Sequence, residues 1–191
     1  MTIQHKNIAE ADLHEPKGVS TASANKVYVS NGSGSGTWQA LPAKLYAEIY
    51  IEGGATTQTL SAASAYAQLN PTGEWTENLK NGLTTTPANG EITLTSGGAY
   101  LIEFWIVFDT AAIASGSLYN FKFAINGTPA PRILNTKKTT NNVDRLHLSA
   151  QGLATVSAGD ILSIYVGGDG TSSSTNITVL EAGLIAIKLA D

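Results

Sequence analysis

The longest regular hydrophobic pattern in the chain runs from residue 100 to residue 108. If the segment is a strand, alternate side chains point to opposite faces. One face then carries Tyr100, Ile102, Phe104, Ile106 and Phe108, and the other carries Leu101, Glu103, Trp105 and Val107. The first face is apolar throughout and the second holds one charge, whereas a strand covered on one side is usually polar at every second residue. We therefore predict a strand covered on both sides, by a second sheet of the same chain and by a neighbouring subunit.

Short alternating segments separated by polar turns make up most of the remaining chain after residue 43. Asn126-Gly127 is a hairpin signal, because both central residues of a type I′ turn need positive φ. Pro129 and Pro131 place the continuation at a sheet edge or in a loop. The predicted strands are residues 45–51, 56–60, 92–95, 100–108, 118–125, 143–148, 153–156, 161–166, 177–180 and 184–189. This spacing predicts an all-β sandwich or jelly roll whose last strand is central.

Residues 1–42 differ from the rest of the chain. They carry charges of both signs and scattered apolar residues, and residues 30–36 form a glycine-serine stretch expected to be a flexible linker. We predict an extended N-terminal attachment arm over residues 1–42 and a head domain over residues 43–191. The arm residues expected to dock on a partner are Ile8, Leu13, His14, Pro16, Val27 and Trp38. The competing interpretation is a disordered tail followed by a linker.

Composition excludes several classes of function. Net charge is −4, so bulk electrostatics give no reason to expect nucleic-acid binding. The chain has no cysteine, which rules out disulfides and thiolate metal sites. No apolar run is long enough to span a membrane. The N-terminus lacks the apolar core of a signal peptide, so we expect synthesis in a cytoplasm without secretion.

Candidate chemistry is sparse, and we expect no enzyme, no metal and no cofactor. The chain has three histidines, no phosphate-binding loop and no GxSxG nucleophile elbow. A locally basic loop and a polar glycine-rich loop are instead candidate recognition loops. Their residues are Arg132, Lys137 and Lys138 in the first, and Asp169 in the second.

Large aromatic residues lie on the predicted strands. We expect them to pack in the core or at a contact between subunits, and the pattern alone leaves open which of them face a neighbouring subunit. They are Tyr100, Phe104, Phe108, Phe121, Phe123 and Tyr165.

Four segments carry a resemblance to a known superfamily. GGAYLIEFWIVF, FKFAING, VSAGDILSIYV and GLIAIKL, in that order, resemble the trimeric jelly-roll superfamily of the complement globular head and tumour necrosis factor. The resemblance covers residues 43–191. It implies two five-stranded antiparallel sheets and a homotrimer, and it makes Asp160 in the Gly159-Asp160 turn a turn former.

The N-terminal stretch resembles a different group. HKNIAEADLHEPKG followed by VYVSNGSGSGTWQAL is similar to leader segments of tailed-bacteriophage virion proteins, including head-decoration and fibre proteins. The resemblance implies a structural protein of the virion surface, made in the host cytoplasm, whose arm binds the capsid or other virion proteins.

Within that group, two roles remain open. One is a capsid decoration or head-fibre protein, and the other is a tail-fibre or receptor-binding tip that recognises a host surface glycan or protein. The chain has no coiled-coil or repeat shaft, which favours the first.

Overall fold

The computed structural model of the protein describes residues 23–33, 36–41, 43–60, 65–69, 73–112, 115–131, 134–168 and 176–191. Within these ranges the chain is almost entirely β, with one short 3-10 helix at Pro87–Asn89 and no α-helix. The strands, in chain order, are β1 (Lys26–Ser30), β2 (Gly36–Ala40), β3 (Tyr46–Glu52), β4 (Thr57–Thr59), β5 (Ala67–Gln68), β6 (Thr76–Asn81), β7 (Thr84–Thr86), β8 (Glu91–Thr93), β9 (Gly98–Thr110), β10 (Leu118–Ile125), β11 (Thr128–Pro129), β12 (Leu134–Lys137), β13 (Arg145–Val156), β14 (Ile161–Gly167) and β15 (Asn176–Ala190).

The chain divides into two compact units, Met1–Ala43 and Lys44–Asp191. In the first unit, β1 and β2 pair as an antiparallel hairpin from Lys26↔Ala40 to Ser30↔Gly36. Tyr28 and Trp38 are cross-strand neighbours, and their rings meet edge to face at 5.4 Å between centroids. The described part of the predicted arm is therefore a hairpin rather than a plain extended segment. The glycine-serine stretch, expected to be a linker, connects its two strands.

In the second unit, one sheet has six strands. Its continuous order is β13-β9-β15-β3-β6, with β4 paired to β15. The last strand is in the middle of this sheet, as predicted. Two pairs of predicted strands are each a single long strand, β13 and β15, because both pair with β9 over almost its full length. The alternating apolar pattern of β15 is interrupted between Val179 and Glu181, where the strand has a β-bulge.

The other sheet has seven strands. Its continuous order is β11-β10-β14-β8-β7, with β12 beside β10 and β5 beside β14. Asn126 and Gly127 have φ of 51° and 73°, so the predicted hairpin turn joins β10 to β11. Pro129 lies in the edge strand β11, where a missing N–H is tolerated. Each sheet thus contains a five-strand path with short additional strands, and the fold is an all-β jelly-roll sandwich.

The core lies between the two sheets. Every residue on the predicted inner face of β9, from Tyr100 to Phe108, is buried. The ring of Phe108 lies 5.4 Å from that of Tyr119 and 5.2 Å from that of Phe121, both on β10, so aromatic contacts join the two sheets. A fully buried side chain of this size stabilises the fold by roughly 1.5–3 kcal/mol relative to leaving it exposed.

One predicted connection contains strands. The sequence predicts no strand between residues 60 and 92, but the structure places β6 and β7 there. Trp75 and Leu83 are buried, whereas Leu79 is 66% exposed. Neither strand shows an alternation of apolar and polar residues, because β6 is exposed along its whole length and β7 consists of three threonines.

The Gly159-Asp160 turn has the predicted structural role. Asp160 Oδ2 accepts from the backbone N–H of Ser157 at 2.7 Å, and Oδ1 accepts from Asn126 Nδ2 at 2.7 Å. Asn126 Oδ1 in turn accepts from the N–H of Ile161 at 2.9 Å. The Ser157 hydrogen bond, and then that of Asn126, hold the pKa of Asp160 below its usual value. Asp160 therefore closes its own turn and ties it to the Asn126-Gly127 hairpin.

Candidate functional site

The outer face of the six-stranded sheet includes the side of β9 that the sequence predicts to be covered by a neighbouring subunit. Leu101, Glu103, Trp105 and Val107 all lie on this face and are half-buried in the single chain. Their neighbours in register on β13, β15 and β3 share the same face. Two parts of the face differ in chemistry.

The first part is a row of four apolar residues, which we term the apolar row. Leu153, Leu101, Ile187 and Tyr46 lie side by side in register across β13, β9, β15 and β3. Leu153 is 72% exposed and Tyr46 is 37% exposed. A contiguous exposed apolar strip of this kind is typical of an interaction surface.

The second part is a recess lined by Trp105 and Tyr50, the two neighbours of Gly183 in register, which we term the Gly183 recess. In register, Gly183 lies between Trp105 on β9 and Tyr50 on β3. The indole of Trp105 lies over the glycine, because a Cβ at position 183 would be only 2.0 Å from Trp105 Cη2. The indole therefore occupies the space that a side chain at position 183 would take, and together with Tyr50 it lines a cavity of about 390 Å³.

Carboxylates surround this recess. Glu48, Glu52 and Glu181 line it, together with Asn78. Asn78 Nδ2 donates to Glu48 Oε2 at 2.6 Å and fixes that carboxylate. Glu52 and Glu181 lie directly opposite each other on β3 and β15, an arrangement of like charges that is unfavourable without a cation.

The basic side chain on the same face is already engaged. Arg145 donates from Nε to Asp109 Oδ1 at 2.9 Å and from Nη2 to Asp109 Oδ2 at 3.0 Å. This hydrogen-bonded pair raises the pKa of Arg145 and lowers that of Asp109, and the charge of Glu181 adds a smaller increase at Arg145. In the described part of the chain, neither Glu52 nor Glu181 forms an ion pair.

A second cavity, the edge groove, opens between the margins of the two sheets. Its volume is about 400 Å³ and its lining is mainly apolar. The residues that line it include Phe123, Pro131, Leu134, Ala150, Leu153 and Lys122. Leu153 belongs both to this lining and to the end of the apolar row.

The six predicted aromatic residues divide into two groups. Tyr100, Phe104, Phe108 and Phe121 are buried in the core of their own chain and are therefore not available to line a threefold axis. Phe123 and Tyr165 are half-buried. Phe123 packs against the core and lines the edge groove.

The two described lysines of the predicted basic loop lie in different environments. Lys137 is exposed, whereas Lys138 is 1% exposed. Lys138 Nζ donates to Thr110 Oγ1 and to the carbonyl of Ala111, each at 2.8 Å, and also to the carbonyl of Asn142. Its expected role in a recognition loop was wrong, because these oxygens take up the ammonium inside the protein. Arg132 and Asp169 lie outside the described residues.

Two of the predicted arm residues are described. Val27 is 39% exposed on β1, and Trp38 packs against Tyr28 in the hairpin. The other four, Ile8, Leu13, His14 and Pro16, lie outside the described residues.

The sequence interpretation missed the Gly183 recess. Trp105 was assigned to the outer face of its strand, but Tyr50, Glu48, Glu52 and Glu181 were not connected with it. The available signal was Gly183 itself, because a glycine inside a strand often marks the close approach of another group.

Two features were sought among the described residues, a metal-binding group of side chains and a membrane-spanning helix. No group of three or more His, Cys, Asp or Glu residues among them is arranged to hold a metal ion. None of the helices in those ranges is long and apolar enough to cross a membrane.

Comparison with known proteins identifies a fold and no family. No family model matches the chain, and no curated protein matches it. Among solved structures, the tumour necrosis factor Eiger from S. frugiperda superposes with a TM-score of 0.51 at 13% sequence identity, covering 77% of this chain and 94% of that one. The protein therefore has a jelly roll like that of tumour necrosis factor.

Proposed function

We propose that this protein is a structural component of a bacteriophage virion, a capsid decoration or head-fibre protein. Its jelly-roll head assembles as a homotrimer, and its N-terminal arm attaches the trimer to the capsid or to another virion protein. The attachment role is supported by the similarity of residues 5–18 and 27–41 to leader segments of virion proteins.

The apolar row is the observation that best supports the proposed trimer. A strand whose inner face is fully buried and whose outer face is apolar at all but one position from Leu101 to Val107 favours a cover on both sides. Leu153 at 72% exposure would gain most from contact with a second copy. Apolar area removed from water contributes about 25 cal/mol per Å², so a contact of ordinary size, about 800 Å² per partner, can hold copies together.

The proposed role is mechanical rather than catalytic. Neither the Gly183 recess nor the edge groove is lined by a serine, threonine, cysteine or histidine that a neighbouring base would activate. Of the Asp and Glu hydrogen bonds described above, those of Asp160 close a turn, and those of Asp109 and Glu48 join neighbouring strands.

The trimer is tested by the mass of the full-length protein. Light scattering after size exclusion is expected to give three times the chain mass of 19.9 kDa. Leu153→Glu, which places a charge in the apolar row, should shift the mass toward that of one chain at micromolar concentration. Leu79→Glu is the matched control, since Leu79 is equally exposed but lies outside the row on β6. A wild-type protein that runs as a monomer would refute the trimer.

A receptor-binding tip is the second candidate, and the Gly183 recess is the observation that favours it. Two aromatic side chains beside carboxylates and an amide are suited to recognition of a ligand at a surface. Immunogold labelling of intact virions separates the two roles. Label over the head is expected, and label confined to the tail would favour the receptor-binding tip.

A further inference from the structure

We propose that the Gly183 recess binds the guanidinium group of an arginine side chain on a partner polypeptide. The recess is built by β3, β9 and β15 of a single chain, so this inference does not depend on the trimer. It assigns a ligand class to a site that the mechanical role leaves unused.

The shape of the recess suits a flat group. The indole of Trp105 covers Gly183, so the recess is lined by that ring and by Tyr50 rather than by the glycine itself. A planar guanidinium stacks on aromatic faces and is drawn to their negative π surface. The volume of about 390 Å³ accommodates a long side chain entering from solvent.

The charge of the recess selects a cation. Glu48, Glu52 and Glu181 line it, and Glu48 is held in place by Asn78. The facing carboxylates of Glu52 and Glu181 repel each other when the recess is empty, and a guanidinium between them would relieve that repulsion. Bidentate hydrogen bonds to a carboxylate further favour arginine over lysine.

Two other occupants fit less well. A neutral saccharide would stack on Trp105, but it would leave the charges of Glu52 and Glu181 uncompensated. A second copy of this chain has two arginines to offer, of which Arg145 is already held by two hydrogen bonds to Asp109 and Arg132 lies outside the described residues, so this occupant is an outcome of the test below. The apolar row also lies four residues along β9 from Trp105, about 13 Å away at 3.3 Å per residue, so both surfaces can be used together.

The experiment uses the full-length protein and three capped tripeptides, Gly-Arg-Gly, Gly-Lys-Gly and Gly-citrulline-Gly. Citrulline keeps the shape of arginine and removes its charge. Binding is followed by calorimetry and by quenching of tryptophan fluorescence, with Trp105→Phe used to assign the quenching. We expect the arginine peptide to bind at least tenfold more tightly than the citrulline peptide, with the lysine peptide between them and affinity falling as salt is raised.

Matched variants locate the site. Glu52→Gln together with Glu181→Gln should weaken binding of the arginine peptide at least tenfold. Glu103→Gln removes a charge from the same sheet face but outside the recess lining, and should leave binding unchanged. Circular dichroism and light scattering of each variant establish that fold and mass are retained.

Three results would overturn the inference. Equal binding of the arginine and citrulline peptides would show that charge does not select the ligand. Saturable binding of a neutral oligosaccharide with no binding of the arginine peptide would assign the recess to glycans. Loss of the trimer in the Glu52 and Glu181 double variant would mean that a second copy fills the recess. A monomeric wild-type protein that still binds the arginine peptide would refute only the proposed trimer.

Discussion

At the scale of single residues, Lys137 and Lys138 show how neighbours of identical chemistry acquire different roles. Lys137 ends β12 with its side chain exposed, whereas the next residue turns inward. In the interior, Lys138 Nζ donates hydrogen bonds to the hydroxyl of Thr110 and to the backbone carbonyls of Ala111 and Asn142. These oxygens satisfy the ammonium without a paired carboxylate in hydrogen-bond contact, so a buried charge is tolerated there.

Replacement of the two lysines should separate these roles. Lys138→Met removes the donor and leaves the carbonyls of Ala111 and Asn142 without it, which should lower the free energy of unfolding by about 1–3 kcal/mol. Lys137→Met is the matched control and should stay within about 0.5 kcal/mol of wild type. Urea unfolding at a fixed chain concentration measures both. Equal effects of the two substitutions would contradict the internal role of Lys138.

The stability of the loop after β12 should depend on pH through Asp144. Its Oδ1 accepts from the Thr140 hydroxyl at 2.6 Å, and its Oδ2 accepts from the N–H groups of Thr140 at 3.0 Å and Thr139 at 2.9 Å. These bonds, the Thr140 hydroxyl first, lower the pKa of Asp144 from 3.8 to about 2. Because the folded-state pKa is depressed, the stabilisation is complete above 3.8 and is lost as pH falls through about 2.

The amide resonances of Thr139 and Thr140 provide the measurement. They should titrate together with a midpoint near the lowered pKa of Asp144, and Asp144→Asn should abolish the titration. A midpoint at the ordinary pKa of an aspartate would show that the loop does not hold the carboxylate.

At the scale of elements, β9 has two faces with separate tasks. Its inner face, including Phe104, is buried against the second sheet of the same chain. Its outer face contributes Leu101 to the apolar row and Trp105 to the Gly183 recess. The strand is therefore central both to the stability of the head and to the surfaces proposed for binding.

Substitutions on the two faces of β9 should differ in how far they lower the free energy of unfolding. Phe104→Ala creates a cavity in the core and should lower the free energy of unfolding by about 3–5 kcal/mol. Glu103→Ala, its neighbour on the outer face, should change it by no more than about 0.5 kcal/mol. Thermal melts at equal chain concentration test the pair, because a trimer melts at a temperature that depends on concentration. A wild-type-like melt for Phe104→Ala would show that the ring is not in a packed core.

At the scale of the whole molecule, the chain divides into Met1–Ala43 and Lys44–Asp191, and we propose that the first unit serves attachment and the second stability. A two-stranded hairpin such as β1–β2 is only marginally stable alone. We therefore expect the arm to gain order from its partner, with Val27 available for contact because it is 39% exposed. Three tethered arms on one trimer would act at high effective concentration once one has bound.

A truncation that starts at Ala43 tests this division. The truncated protein should remain a folded trimer, because the core of the jelly roll and the apolar row lie entirely after that residue. It should lose binding to particles that lack the protein, measured by co-sedimentation, while the full chain binds. Retained decoration by the truncated head would show that the arm is only a tail.

The sequence by itself determined the fold class, most of the strands and the inner face of β9. These follow from local rules: alternation assigns faces, and Asn126-Gly127 and Gly159-Asp160 supply the backbone angles of their turns. The centrality of the last strand was also readable from its apolar composition.

Only the tertiary structure decided which outer residues meet. Trp105, Gly183 and Tyr50 come from three separate parts of the chain, and strand register alone brings them into one recess. The burial of Lys138 was likewise hidden, because it depends on the carbonyls of Ala111 and Asn142 rather than on any local pattern. Local periodicity records the face on which a side chain lies, whereas its neighbours across the sheet are fixed by pairings between distant segments.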